Sequence, residues 1–370
     1  MKASRGQSVK EPATNEPDVQ HVHGVHDVQN MNSVNELEPI GIRDEDSNDL
    51  FTGRSMNDWL SLAASKPVPM RLFGDFWSEG ELSILFADTA SGKSALAMQI
   101  AQSICAGKPT PGFAMEATPQ GVLYFDFELT EMQLRRRYAV ENRDRDRIWF
   151  DDYFDFHPTL RRFEINNAAR LFDQYEDWET LLIEQIETAV LGSGEHIIVF
   201  DNLTYLSRET EKGKFAIPLM QRLNDLKKNH SLSLLILAHT PKRDESRPIT
   251  VNDLAGSKSI ANFADSVFAI GKSSRDSNLR YLKQIKARNT EIVYDDQNVA
   301  VCRFEKPHNL LRFEFVGCQD ENEHLAPLTK SKRLDLMARA RSLSAEGLTQ
   351  REIATELGIG LGTVNKYLKH

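Results

Sequence analysis

The stretch from Ser83 to Ile104, SILFADTASGKSALAMQIAQSI, decides the fold. It reads as a short apolar run, a tight polar turn ending in Gly92-Lys93-Ser94, and an amphipathic helix. A phosphate-binding loop is built in this order. Successive backbone N–H groups of the turn and the positive end of the helix form a concave anion nest, a lysine reaches the outer phosphates, and a hydroxyl holds Mg²⁺. Lys93 and Ser94 take the last two roles, while Ala90, Ser91, Gly92 and Ala95 complete the cradle. The usual pattern opens on glycine where this chain has Ala87. Alanine fits there wherever φ is negative, and only a left-handed conformation would penalise it, by about 1–2 kcal/mol.

Outward from the loop, apolar strand-like runs alternate with helical patterns: ELSILFA (81–87), GVLYFDFE (121–128), HIIVFDN (196–202), LSLLILAH (232–239), DSVFAIG (265–271) and YLKQIKA (281–287). Continuous apolar strands between helices indicate an α/β fold whose mostly parallel sheet is covered on both faces. The helix after the loop carries Leu96, Ile100 and Ile104 along one side and stops before Gly107, which suits a left-handed cap. A second helix, Trp178 to Leu191, delivers the chain to the strand ending at Asp201.

The chain has 370 residues, enough for one large domain plus smaller attachments, with 40% hydrophobic and 27% charged residues. It lacks an apolar run of the roughly 18 residues that a membrane span needs, and its start, MKASRGQSVKEP, lacks a hydrophobic signal core, so a cytoplasmic protein with no membrane partner is expected. Cys105, Cys302 and Cys318 are too scattered for a disulfide frame or a zinc site. The net charge of −9 argues against wholesale coating of a phosphate backbone, yet it is unevenly spread. Residues 1–50 carry ten acidic against four basic side chains, and residues 329–370 eight basic against four acidic. The acidic segment 1–50 shows no periodicity and few large apolar side chains, so it is expected to be disordered, with His21, His23 and His26 solvated. Residues 51–315 form the expected ATPase domain. The polar stretch 316–331, VGCQDENEHLAPLTKS, is a candidate linker, followed by a small helical domain over 332–370.

Several residues outside the loop could do chemistry. Asp201 ends a buried strand at the carboxyl edge of the sheet, where an acid can hold magnesium through water beside Ser94, or else cap the turn that follows. Glu128 ends another, placed to meet an attacking water, although a helix-capping role is open to it. His239 ends a third, where it could report on a γ-phosphate or serve as an ordinary strand-end histidine. In YLKQIKARNTE, Lys286 and Arg288 are two apart and share a strand face. Two cations projecting from a sheet edge suit delivery to a phosphate on an adjacent subunit, and alone they could equally be a solvated basic face.

Together these motifs resemble the RecA-fold ATPases of the hexameric helicase group, the DnaB-like and plasmid RepA-like proteins, and especially the AAA-type ATPases of bacterial mobile elements. FELTEMQLRRR looks like that group's strand-end glutamate before a helix, and KARN like its lysine-x-arginine finger pair. The resemblance spans about residues 65 to 315. It implies a RecA-like P-loop core using ATP and Mg²⁺, with Lys93 and Ser94 on phosphates and metal, Asp201 as the second acid and Glu128 as general base. It further implies His239 as γ-phosphate sensor and Lys286 with Arg288 acting in trans across a homo-hexamer or another ring. A DNA-contacting loop would fall at AGSKSIANFADS (255–266), with Lys258 as its one cation.

The tail, GLTQREIATELGIGLGTVNKYLKH, pairs Thr349 with Glu352 in a capping box, buries Ile353, Ala354 and Leu357, and breaks at Gly358. A further helix from Leu361 to Leu368 turns Val364 and Leu368 inward. With a preceding helix at 333–344 this resembles a helix-turn-helix, exposing Thr363, Asn365, Lys366 and Lys369 to base edges or phosphates. A protein-docking module is the other reading. The expected function is an ATP-hydrolysing DNA motor, a helicase or helicase-like replication factor of a mobile element acting on single-stranded DNA and, through the tail, on duplex. The alternatives are an ATP-switched DNA-binding regulator and a loader-type ATPase acting on proteins.

Overall fold

Short runs of branched and aromatic side chains bounded by turn residues suit strands buried on both faces, and the chain places them so. The computed structural model describes residues 52–165, 178–203, 216–241, 243–255, 257–327 and 330–369. Two compact units divide at Pro67 and Val68. Of the first, the described residues form one helix, Met56–Ser65, capped by Ser55 and burying none of its side chains. The segment 1–50, expected to be disordered, lies outside the described residues.

The second unit is built on a nine-stranded sheet. Its strands in chain order follow a short hairpin, β1 (Arg71–Phe73) and β2 (Trp77–Ser78). They are β3 (Leu82–Ala87), β4 (Val122–Asp126), and, after a second hairpin of β5 (Val140–Asp144) and β6 (Arg147–Asp151), β7 (Leu160–Phe163). Then come β8 (Ile197–Asp201), β9 (Ser233–His239), β10 (Ser266–Lys272), β11 (Leu279–Ala287), β12 (Val299–Glu305) and β13 (Arg312–Gln319). The spatial order is β13-β12-β11-β10-β3-β9-β8-β4-β7. From β10 to β7 all neighbours are parallel, and β11, β12 and β13 add an antiparallel flank.

Alternation along β3 shows how both faces are filled. Ile84 and Phe86 enter one core with the helices Trp178–Ser193 and Ala216–Asn229, while Leu85 and Ala87 enter the other with the helix Lys93–Ala106. Gly107 caps that last helix at φ 64°, as its position suggested. The parallel register sets Ala87 beside His239 and Asp201 beside Asp126, so the carboxyl ends of β3, β9, β8 and β4 lie in one row.

All six expected runs are strands. The expected linker, however, is structured as far as residue 327: residues 316–319 finish β13, and the turn Glu321–Glu323 buries Glu321 and His324. Its polarity reflects internal pairing, because Glu321 accepts from Lys283 Nζ at 2.5 Å and from the Ile249 N–H at 2.8 Å.

The three helices Lys330–Ala345, Gln350–Leu357 and Leu361–Lys369 share a small core of Ala340, Ile353, Val364 and Tyr367. The Thr349–Glu352 capping box and the left-handed Gly358 are both present. Tyr367, not Leu368, is the more deeply buried partner of Val364 in the last helix.

Tyr281 lies opposite Gly271, and a Cβ on that glycine would stand 2.0 Å from the ring. Gly271→Ala should therefore cost about 1–3 kcal/mol through overpacking, read as a lower urea midpoint. An unchanged midpoint would show that the ring can yield.

Candidate active site

Ala87 is the last residue of β3, so the missing glycine falls on extended backbone that any residue adopts. Left-handed geometry occurs further along the loop, at Ala90 (φ 58°) and Gly92 (φ 100°). At Ala90 it costs about 1–2 kcal/mol. At Gly92 it is joined by crowding, since a Cβ there would stand 2.8 Å from the Phe313 ring.

Lys93 opens the helix and is buried, 7% exposed. Its Nζ donates to the carbonyls of Ala87 at 2.9 Å and Asp88 at 3.3 Å, and lies 3.3 Å from His239 Nδ1. Burial lowers the pKa of this ammonium, while Asp201, Glu128 and Asp88 oppose the shift. Ser91 Oγ is buried with no hydrogen-bond partner among the described residues, an orphan inside the cradle where an anion would sit.

Asp201 is the buried end of β8, and the peptide that follows it is cis. Tyr124 Oη, from the neighbouring β4, donates to its Oδ2 at 2.9 Å. Burial pushes the carboxyl up to about 6, against hydrogen bonds from Ser94 and Tyr124. Its Oδ1 is buried without a hydrogen-bond partner among the described residues. An orphaned carboxylate oxygen near a serine hydroxyl offers the hard oxygens that magnesium takes, so Ser94 and Asp201 fit the metal role.

Glu128 stands two residues beyond β4, in a turn locked by Asp126. Asp126 Oδ1 accepts from the N–H groups of Glu128 at 3.1 Å and Leu129 at 2.9 Å. Arg162 on β7 pairs with Asp126 Oδ2 at 2.8 Å and donates to the Leu129 carbonyl at 2.8 Å. The capping role open to Glu128 is filled by Thr130 and Gln133, which start the helix Glu131–Tyr138. Glu128 is free to point at His239, whose Nε2 lies 3.2 Å from Oε1. Asn202 Nδ2 bonds the same oxygen and lies 2.9 Å from His239 Nε2. With its hydrogen assigned to Nε2, the imidazole donates to Glu128 and accepts from Lys93, so the Asn202 amide hydrogens are given to Glu128 and not to the ring. That hydrogen bond from His239 holds the Glu128 carboxyl below its usual value, with burial working against it.

Lys93, Ser94, Asp201, Glu128 and His239 are thus brought together at the carboxyl ends of four strands. Lys286 and Arg288 are not. β11 lies inside the sheet, not at its edge, and Lys286 pairs with Val267, which in turn pairs with Ile84 near the start of β3. The pair therefore lies toward the opposite end of the sheet from the loop. Lys286 Nζ donates to the Ala261 and Ala264 carbonyls at 2.7 Å each, and Arg288 to the Asn262 carbonyl at 2.8 Å, around the end of the helix Ser257–Phe263. The Lys258 side chain lies outside the described residues. In the tail Lys366 and Lys369 are exposed, and Thr363 and Asn365 half-buried.

The sequence reading missed Tyr124, Asp126, Arg162 and Asn202. Polar groups in otherwise apolar strands, Tyr124 and Asp126 in VLYFD, were the available signal.

The profile of the AAA domain family matches residues 52–245, a span holding the loop, both acids and His239. The chain belongs to the AAA domain family. Among relatives of this AAA protein, a DNA helicase/primase of Enterobacteria phage T3 is 23% identical over 235 residues, which is 57% of this chain and 39% of that protein. The chain thus spans well under half the length of that relative. Among solved structures, a KaiC-like protein from Pyrococcus horikoshii OT3 aligns with TM-score 0.43 and 12% identity, over 65% of this chain and 91% of that one. Among the described residues no helix is long and apolar enough to cross a membrane.

Two outcomes follow for the AAA protein. Gly92→Ala should remove nucleotide binding in a fluorescent-nucleotide titration while circular dichroism keeps the folded signature, since both φ and the Phe313 contact forbid the Cβ. For pH, Asp201 favours its protonated form in the folded chain, so the cost of burying its charge is absent below its ordinary value of 3.8 and grows as pH rises through about 6. Magnesium needs the ionised form, so magnesium-dependent nucleotide affinity should fall as pH drops through about 6. A flat titration from pH 5 to 8 would contradict this.

Proposed function

We propose that this AAA-family protein is an ATP-hydrolysing motor of the helicase type, acting on DNA as a ring of identical subunits. The observation that carries this reading is the junction of Lys93, His239 and Glu128 through one imidazole, with Asp201 alongside. The loop N–H groups and Lys93 bind the phosphates. Ser94 and Asp201 would hold magnesium, which when bound compensates charge on the phosphate oxygens. Glu128, kept ionised, takes the proton of the attacking water, and Asn202 fixes the orientation of its carboxylate. His239 touches Glu128 and Lys93 at once, so it is placed to sense whether a γ-phosphate stands between them. Phosphoryl transfer of this kind depends on positioning and charge more than on covalent chemistry.

Lys286 and Arg288, lying toward the far end of their own sheet, are suited to a neighbour's nucleotide instead, and this supports the ring. Helicase/primase likeness at 23% identity supports action on DNA. A helicase or helicase-like replication factor of a mobile element is the form we favour, working on single-stranded DNA. The three-helix tail, with Lys366 and Lys369 exposed, supports a second reading in which Thr363, Asn365, Lys366 and Lys369 select duplex DNA and nucleotide switches assembly.

Glu128→Gln should lower steady-state ATP turnover by about 10²–10⁴-fold with nucleotide binding retained. Arg288→Ala should be severe only in the assembled ring, seen by mass photometry alongside turnover. Stimulation of turnover by single-stranded DNA together with strand displacement supports the motor. Sequence-selective duplex binding without displacement supports the regulator, and neither result would point to a loader acting on proteins. A rate kept after Glu128→Gln sinks the general-base role.

A further inference from the structure

Two cations grip the first half of the phosphate loop from outside. Lys272, ending β10, donates to the Thr89 carbonyl at 2.9 Å. Arg243 Nε stands 3.5 Å from Asp88 Oδ2, and its side chain is only 5% exposed. A guanidinium so buried needs partners on every side. Its Nη1 donates to the Arg247 carbonyl at 3.0 Å, and Arg247 is itself forked onto Asp253. The Tyr281 phenol lies against Arg243 as well. Tyr281 is held in turn, with its ring over Gly271 and its Oη donating to Glu321 Oε1 at 3.1 Å. Arg243 is therefore fixed by the sheet and by its own loop, and Asp88 is the one of these partners that belongs to the phosphate loop.

What Asp88 does next matters for the nucleotide. Its backbone carbonyl is one of the two that hold Lys93 Nζ. Two residues later Ala90 stands at φ 58°, a conformation an alanine keeps only where its surroundings over-determine it.

We propose that Arg243 is a positioning residue for the nucleotide, holding the strained phosphate loop through Asp88 in the shape that presents Lys93. It touches no reacting atom. The inference rests on the ATP-site reading above and adds a residue outside the loop, the acids and the sensor.

The test is a double-mutant cycle on the full chain, read by titration of a fluorescent ATP analogue with magnesium and by steady-state kinetics. Arg243→Met and Asp88→Asn should each weaken affinity on the order of tenfold, the scale of one partly buried ion pair, raising KM more than they lower kcat. The double variant should be no weaker than the worse single one, because both remove the same contact. Arg243→Lys, which keeps the charge without the guanidinium's N–H groups to Asp88 and the Arg247 carbonyl, should fall between. Affinity unchanged in either single variant, or losses that add in the double, overturns the proposal. Should Arg243→Met fail to fold, Asp88→Asn, at a partly exposed carboxylate, reads the same contact and decides it alone. A wild-type chain that binds no nucleotide overturns the ATP-site reading itself, whereas wild-type binding with unaffected variants overturns only the role of Arg243.

Discussion

A buried ammonium is the constraint around which this chain is organised. Lys93 is taken out of water at the start of a helix, whose dipole already makes that end positive, so its charge is tolerated only if other groups surround it. Ala87 and Asp88 give carbonyl oxygens, His239 gives a ring nitrogen, and Asp201, Glu128 and Asp88 give negative charge. Each comes from a separate strand end or from the loop itself. The parallel register that sets Ala87 beside His239 and Asp126 beside Asp201 is therefore what makes the lysine possible, and a slip of one residue would send these side chains to the other face.

The same crowding explains why the site is built from pairs. Asp201 is buried enough to be pushed up to about 6, and Tyr124 with Ser94 offset part of that penalty. Glu128 is held low by His239 and steadied by Asn202. Two carboxylates in one pocket are thereby driven apart in acidity, burial favouring the neutral form of Asp201 and the His239 hydrogen bond favouring the charged form of Glu128.

Most of the parallel sheet was legible because its strands are unbroken apolar runs, and the loop because glycine, lysine and serine stand in a fixed order before a helix. Other features were hidden for physical reasons. β7 is only four residues long with two arginines, LRRF, so nothing marked it as a strand, and Arg162 was invisible as the lock on the Glu128 turn. β13, at the sheet's edge, buries only Phe313 and otherwise carries half-buried and exposed residues, so its end reads as polar linker. Glu321 looks solvated in sequence because its partner, Lys283, lies 38 residues away. Asn202 was read as the end of a strand, since its value comes from Glu128, which only the fold brings near.

Lys286 and Arg288 show how topology limits what sequence can assign. Alternation placed Lys286 and Arg288 together, and they are together, both reaching the Asn262 carbonyl. Because β11 runs antiparallel to β10, its carboxyl end meets the amino end of β10, and the pair arrives at the end of the sheet away from the phosphate loop. There the cations meet the last carbonyls of the helix Ser257–Phe263, the negative end of its dipole. That helix follows Ala255, whose N–H donates to the His239 carbonyl at 3.1 Å. One short segment thus touches the strand-end histidine of the loop side with its beginning and the two cations with its end. Among the described residues the one carboxylate paired with either cation is Asp265, at 3.5 Å from Arg288. Arg288 keeps 52% of its side chain exposed at that end of the sheet, away from this chain's own phosphate loop.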